Sequence, residues 1–348
     1  MNNLRQALDF LKEYDGEPLT FMEVCGTHTA AIAQNGIPEL LSAKIRLISG
    51  PGCPVCVTVA EYIDRLIELS LKPNTCVVSF GDMLRVPGKS SSLREAQAEG
   101  ARAEMIYSPF ELIEKAKANP GTEYVFAAVG FETTTPAYAL LLEEAIAMGL
   151  DNIRLLTAIK TMPNAIDSLC SGGMKIDGFI APGHVSVITG WREFEPLAQK
   201  YSLPFAVAGF EAEELIYAIY SLVKLRGRGR VVNLYPAAVT EKGNTKAKET
   251  VSKYFEPCDA AWRGMGIIPG SGLVLREEYS RFDAGSSELT HDEASNKGCR
   301  CGQVITGAVS PLECPLFGKI CTPTAPQGAC MVSGEGNCYN YFVNNRKV

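Results

Sequence analysis

From residue 19 to about 225, short apolar runs alternate with amphipathic stretches, each pair joined by a Gly-rich turn. "LTFMEV" leads into "CGTHTAAIAQ", "IRLIS" into "GPGCPVCVTVAEYIDRLIEL", "TCVVSF" into "GDMLRVPG", and "AEMIY" into "SPFELIEKAKA". In the last, Ser108-Pro109 has the signature of an N-cap followed by proline at N1. A second series follows: "EYVFAAV" into "GFETTTPAYALLLEEAIAMG", "IRLLTAI" into "KTMPNAIDSLC", "DGFIA" into "PGHVSVITG", and "LPFAVA" into "GFEAEELIYAIYSLVKL". Strands that are apolar throughout, alternating with helices, predict parallel sheets buried on both faces. The fold expected is two similar parallel-sheet α/β domains, residues 1–120 and 121–236, meeting near "KANPGTE", followed by a cysteine-rich region, 237–348. The turns "GFETT" and "GFEAE" echo each other, but no clear repeat runs through the chain. In the third region "RGRGRVVNLYPAAVTEKGNTKAKETV" reads as basic, then polar, then helical, and "WRGMGIIPGSGLVLREEYSRFDA" as a short β element. From residue 285, Gly, Pro, Cys and polar residues dominate, and such a tail needs a staple such as a metal cluster.

Composition narrows the function classes. The chain has 348 residues, of which 46% are apolar and 21% charged, as in globular proteins that carry more than one core. A net charge of −6 argues against a nucleic-acid-binding surface. No apolar run approaches the ~18 residues of a membrane span. The N-terminal "MNNLRQALDFLKEYDGEP" has helical spacing rather than the apolar core of a secretory signal. A cytoplasmic location follows as the expectation. In that reducing setting twelve cysteines do not make a disulfide framework. Six of them, Cys299, Cys301, Cys314, Cys321, Cys330 and Cys338, fall in the last fifty residues, which points to metal or redox chemistry.

The turns that end the strands carry the chemistry, because open parallel sheets bind ligands beyond the carboxyl ends of their strands. "CGTHT" puts Cys25, Thr27, His28 and Thr29 at such an end. Gly26 permits the tight turn, Thr29 is a capping candidate, and the helix that follows favours a thiolate at Cys25. A buried cysteine beside a capping threonine is the plainer alternative, but His28 is one of only three histidines and stands three residues away. "GPGCPVC" places Cys53 and Cys56 in a stiffened Cys-x-x-Cys turn. That pair fits a redox dithiol, or, with Cys25 and His28, a soft-metal site. Glu132 of "GFETTTP" and His184 of "PGHVS" are weaker acid/base or supporting candidates, and Asp82 and Arg85 of "FGDMLRVPG" form an expected structural ion pair. Neither Gly-x-Gly-x-x-Gly nor the Walker sequence is present, so no nucleotide site is supported. The tail reads Cys-x-Cys-x12-Cys-x6-Cys-x8-Cys-x7-Cys. Four thiolates hold a [4Fe–4S] cluster or a zinc ion, and two surplus thiols favour iron–sulfur.

Taken together, "CGTHT", "GPGCPVC", "FGDMLRVPG", "GFETTTP", "PGHVS" and the tail "CRCGQV…PLECPLFGKICTPTAPQGACMVSGEGNCYNY" resemble the HypD family of [NiFe]-hydrogenase maturation proteins. The resemblance runs from about residue 20 to the end and takes in every cysteine motif. Cys76, Cys170 and Cys258 lie outside it and are expected to be ordinary buried thiols.

The resemblance implies two α/β domains and a C-terminal [4Fe–4S] region, with a cluster and disulfide arranged as in ferredoxin–thioredoxin reductase. It implies a scaffold, with redox activity, for assembling the Fe(CN)2CO unit of the hydrogenase site. That scaffold works in complex with the small chaperone HypC, and HypE, loaded by HypF, delivers cyanide. Cys25 would bind the iron together with a HypC cysteine, with His28 close by, and Cys53 and Cys56 would be a redox pair supplied by the cluster. Cys299, Cys314, Cys321 and Cys338 would ligate the cluster, leaving Cys301 and Cys330 as an accessory disulfide pair. Two other classes stay in play: a general thiol–disulfide oxidoreductase, and a structural zinc protein whose α/β domains bind a small metabolite.

Overall fold

The computed structural model describes residues 2–287, 289–292 and 296–344. The eight apolar runs all form strands: β1 Leu19–Glu23, β2 Ile45–Ser49, β3 Thr75–Ser79, β4 Ala103–Met105, β5 Glu123–Gly130, β6 Ile153–Lys160, β7 Gly178–Pro182 and β8 Phe205–Ala208. Three more follow, β9 Val231–Asn233, β10 Phe255–Trp262 and β11 Gly266–Leu275. Among the described residues no helix is long and apolar enough to cross a membrane.

Two sheets result. One is wholly parallel, in the order β2-β1-β7-β8-β9. The other has the order β10-β11-β6-β5-β3-β4. Its β4-β3-β5-β6 portion is parallel, and the hairpin of β10 and β11 extends it antiparallel from β6. Two parallel sheets flanked by helices agree with the expected α/β class, but they do not divide the chain at residue 120. The first sheet takes strands from 19–49 and from 178–233, the second from 75–160 and 255–275. Alternation of strand and helix predicts elements, not partners, and here the chain crosses between sheets after β2, after β6 and again after β9.

The region expected to begin at 237 is also shared out. The β10–β11 hairpin belongs to the second sheet, with its proline-bearing strand β10 at the edge, where a missing N–H costs no ladder bond. The cysteine-rich segment after it packs into one core with Met22, Val24, Cys53 and Cys56 of the first sheet's turns. Cores on either side of the sheets are filled by apolar strand residues such as Phe179 and Phe205, whose rings stack on each other, with Phe194 of a short helical turn stacked on Phe205. The N-terminal helix Asn2–Lys12 lays its apolar face, Ala7 and Leu11, beside the helix Ala212–Lys224. The helix expected at Ser108-Pro109 begins instead at Glu111, whose carboxylate accepts the N–H groups of Tyr107 and Ser108.

Each sheet has a switch point, where the strand order departs in both directions from one strand. In the first sheet it lies between β1 and β7, in the second between β3 and β5. The loops leaving these strands are "CGTHT", "PGHVS", "FGDMLR" and "GFETT", so four of the motifs sit where open α/β sheets form crevices.

Candidate functional site

Cys25 follows β1 in extended conformation and is the N-cap residue of the helix Gly26–Gln34. The turn after β2 is laid directly on it. Gly26 N–H donates to Gly52 O at 2.9 Å and Gly50 N–H to Glu23 O at 2.7 Å. A Cβ on Gly52 would lie 2.6 Å from Cys25 Cα, so only glycine permits this approach. The same turn carries Cys53 and Cys56, joined in a disulfide across the single helical turn Pro54–Val57. Cys53 Sγ also accepts the Cys56 N–H at 3.1 Å. Both sulfurs belong to buried residues, and Cys25, also buried, is free.

Two carboxylates surround Cys25. Glu23, the last residue of β1, is buried and accepts the Cys25 N–H at 2.9 Å and the Thr29 hydroxyl. Burial pushes its pKa up to about 7. Glu335 reaches in from the tail, where it accepts the Thr27 hydroxyl at 3.3 Å. Burial pushes the Cys25 thiol up to about 12, and the charges of Glu23 and Glu335 act in the same direction. The N–H groups of Thr27 and His28 oppose this but do not prevail. The expectation that the helix favours a thiolate is thus corrected: desolvation outweighs the dipole, and Cys25 holds its proton at neutral pH.

His28 is fully buried, and its ring is occupied by the first sheet. Nε2–H donates to Gly209 O at 2.9 Å and approaches Ala208 O at 3.3 Å, holding the turn after β8. Burial lowers its pKa to about 4, so the imidazole is neutral, and Nδ1 has no partner among the described residues. Phe210 packs between it and His184, with ring centroids 4.9 and 4.1 Å away. His184 thus stacks on Phe210 and reaches His28 only through that ring. Glu132 is engaged elsewhere: its Oε1 accepts Met162 N–H at 2.8 Å just past the end of β6, and its buried Oε2 has no partner among the described residues. Burial raises it to about 7. The expected Asp82–Arg85 pair forms at 3.3 Å, and Arg85 also donates to Val332 O at 3.1 Å.

The tail closes over this site. The short helical turn Ala329–Met331 brings Ala329 O within 4.0 Å of Cys56 Sγ, and the helix Asn337–Asn344 packs on Gly26–Gln34. Its six cysteines converge. Cys330 Sγ lies 3.1 Å from both Cys301 and Cys338, so it does not pair with Cys301 alone. A Cβ on Gly328 would lie 2.7 Å from Cys299 Sγ and 3.5 Å from Cys301 Sγ. Cys321 Sγ accepts Gln327 N–H at 3.4 Å, and its thiol is raised by burial and by the nearby Cys299 and Cys314. Five of the six are buried and Cys299 is half-buried. Buried thiols gathered with no carboxylate or imidazole between them are a donor set that fits a thiolate-ligated cluster. The sulfurs of Cys301, Cys330 and Cys338 lie in a contacting row, and among the described residues no three His, Cys, Asp or Glu side chains surround a common metal-sized point.

Of the cysteines outside the motifs, Cys76 is buried while Cys170 and Cys258 are only half-buried. Sequence reasoning missed Glu23 and Glu335. The signal was there for the first, a lone carboxylate ending an otherwise apolar strand, and for the second, an acid between two glycines beside a cysteine.

Residues 2–345 match the model of the family described as HypD, "Hydrogenase formation hypA family". Hydrogenase maturation factor HypD of Rhizobium leguminosarum bv. viciae is 43% identical over 339 residues, covering 94% of this chain and 88% of the relative. The protein of the same name from Azotobacter vinelandii is 42% identical over 338 residues, covering 94% and 89%. A putative hydrogenase expression/formation protein of Methanocaldococcus jannaschii is 38% identical over 350 residues, covering 99% and 95%.

Proposed function

The chain belongs to the HypD family of hydrogenase formation proteins, and from that premise we propose that it is the scaffold on which the Fe(CN)2CO unit of a [NiFe]-hydrogenase is assembled. The observation that carries this reading is Cys25, a free buried thiol at a sheet's switch point, packed against the turn of the Cys53–Cys56 pair. The iron unit is cargo. Cys25 binds it after giving up its proton, and a cysteine of the chaperone HypC completes the grip. HypE, charged by HypF, brings the cyanide groups. A thiol that stays protonated until a soft cation arrives is stable against adventitious oxidation, since the thiolate is the reactive form.

Around the cargo, this chain's residues exclude water and fix position. Thr29 and Cys25 N–H hold Glu23, and Glu335 covers Gly26 from the tail. Opening the Cys53–Cys56 disulfide to a dithiol takes two electrons and two protons, and the pair sits one turn from Cys25. Cys299, Cys314, Cys321 and Cys338 would hold a [4Fe–4S] cluster, with Cys301 and Cys330 as accessory thiols. Such a cluster supplies one-electron reducing power when bound. The burial of both Cys53 and Cys56 weighs against a general disulfide reductase, which needs an exposed sulfur for its substrates.

The test is anaerobic co-expression with HypC and infrared spectroscopy of the purified complex. Bands from iron-bound CN and CO are expected in the wild type and absent from Cys25→Ala. Bands of equal intensity in Cys25→Ala would remove Cys25 from the site. Co-purification without any such band would leave a complex with no scaffold role.

A further inference from the structure

The hairpin of β10 and β11 turns at residues 263–265, and its tip is wedged between the Cys53–Cys56 turn and the cysteine-rich tail. Arg263 leads that tip. Its backbone N–H donates to Val57 O at 2.8 Å, and its Nε and Nη2 donate to Thr58 O at 3.1 and 2.7 Å. Val57 and Thr58 close the helical turn that carries the disulfide, so one residue holds both carbonyls at its end. Towards the tail the approach is backbone to backbone: a Cβ on Gly302 would lie 2.7 Å from Gly264 Cα. Gly302 adjoins Cys301 at the start of the helix Cys301–Ile305.

Among the described lysines and arginines only Lys160 and Arg263 are buried. The Arg263 charge is felt by the tail thiols. Contact with Cys301 and burial hold the Cys299 thiol up, and Arg263 pulls against them. It pulls the same way on Cys301, which Cys299 also lowers and which Cys330 and burial raise. Asp292 pairs with Arg263 at 3.3 Å without cancelling it. The acid's side chain is 25% exposed against 6% for Arg263, so solvent screens the acid more than the cation. Its two oxygens are also shared with the N–H groups of Ala60 and Gly264, at 3.3 and 3.2 Å. Lys297 and Arg300, beside Cys299 in the chain, are exposed and screened as well. The hairpin tip therefore presents a net positive field to the tail from inside the protein.

We propose that Arg263 is a positioning residue for electron transfer: it clamps the end of the Cys53–Cys56 turn to the hairpin tip packed beside Cys301, and its charge makes a thiolate-ligated cluster there easier to reduce. This rests on the reading that the tail cysteines hold a [4Fe–4S] cluster. An added electron adds negative charge, which a buried cation nearby stabilises. Through an effective dielectric of about 20, a unit charge acting over about 10 Å changes an equilibrium constant roughly tenfold. Arginine suits both tasks, since it stays protonated when buried and its planar fork meets a carbonyl and an acid at once.

The test is a reductive titration of the anaerobically purified full chain, followed by visible absorption and electron paramagnetic resonance. Arg263→Gln should make one-electron reduction about tenfold less favourable, a fall in midpoint potential of about 59 mV. Arg263→Lys keeps the charge and should return the equilibrium to within about twofold of wild type. Equal potentials in wild type and Arg263→Gln overturn the proposal. So does a shift in Arg263→Lys as large as in Arg263→Gln, which a merely structural role would give. Should Arg263→Gln fail to fold, Asp292→Asn decides: it leaves the cation unopposed and should raise the potential, and an unchanged or lower one overturns the assignment. Wild-type protein without iron and sulfide would remove the cluster reading and this proposal with it, whereas a cluster of unmoved potential removes the proposal alone.

Discussion

Replacing Gly52 by alanine tests whether the Cys25 site depends on two turns touching through their backbones. The added Cβ would stand 2.5 Å from the Val24 carbonyl carbon and 2.6 Å from Cys25 Cα, with Cys25 N closer still. Carbon atoms rest at about 3.5–4.0 Å, so the turns must part by about 1 Å. Every atom struck is main chain, and no side chain can rotate away. Overpacking of this kind costs about 1–3 kcal/mol. Parting the turns also strains the Gly26 N–H to Gly52 O bond, worth about 1 kcal/mol. Reduced freedom of the unfolded chain returns about 0.4–1 kcal/mol. The net expectation is a loss of about 2–3 kcal/mol in urea unfolding. Alkylation of Cys25 should quicken about tenfold, because the covering turn opens more readily. Gly121→Ala is the control: its Cβ meets nothing within 4 Å, and its stability should stay within about 0.5 kcal/mol of wild type. If Gly52→Ala matched Gly121→Ala in both assays, the argument from backbone contact would be wrong.

Other outcomes follow from the buried groups. Glu132 has a folded pKa of about 7 against an ordinary 4.5, so the native state keeps a proton the unfolded chain releases. Its cost is absent below about pH 4.5, grows up to pH 7 and is complete above it. Glu132→Gln should therefore gain on wild type as pH rises, by roughly 3 kcal/mol at most by pH 8. Equal stabilities across that range, measured by denaturant titration, would contradict it. His28→Phe removes the donor that holds Gly209 O and should cost about 2 kcal/mol at pH 8; the wild type loses stability as pH falls from about 6.5 to 4, because only the unfolded chain protonates this imidazole there, and the variant should lack that slope. Arg263→Met strips Asp292 of its buried partner and frees Thr58 O, and a loss of about 3 kcal/mol is expected in thermal unfolding.

Strands β1 to β8 were legible because each is a continuous apolar run bounded by glycine, proline or a polar turn. β9 was not, since "VVN" is three residues long beside the basic "RGRGR". β10 was hidden by Pro257, which sequence rules set against a central strand and which the edge position allows. The pairing of strands lay beyond reach, because buried parallel strands look alike and any two can be neighbours. The motifs marked the sheet edges correctly. What they bind to could not be read, as with His28, which looked like a partner of Cys25 and spends its N–H on Gly209. The protonation of Cys25 rests first on its burial, to which a tail residue more than three hundred positions away, Glu335, adds a smaller push.

The interleaved order of the strands bears on when this protein can begin work. A growing chain that has emerged as far as β6 holds β1 and β2 without β7, β8 and β9, and so exposes one flank of the strand that carries Cys25. The second sheet is likewise unfinished until the hairpin at 255–275 is made. The cover over Gly26 and Cys56 comes last, from residues 329–344. The pieces that shut the site are therefore made only after both sheets are complete. A chain cut short before β9 would present Cys25 in a half-built sheet, and one cut between β11 and the helix Asn337–Asn344 would leave it in a finished sheet without its cover, a natural point for quality control to act on.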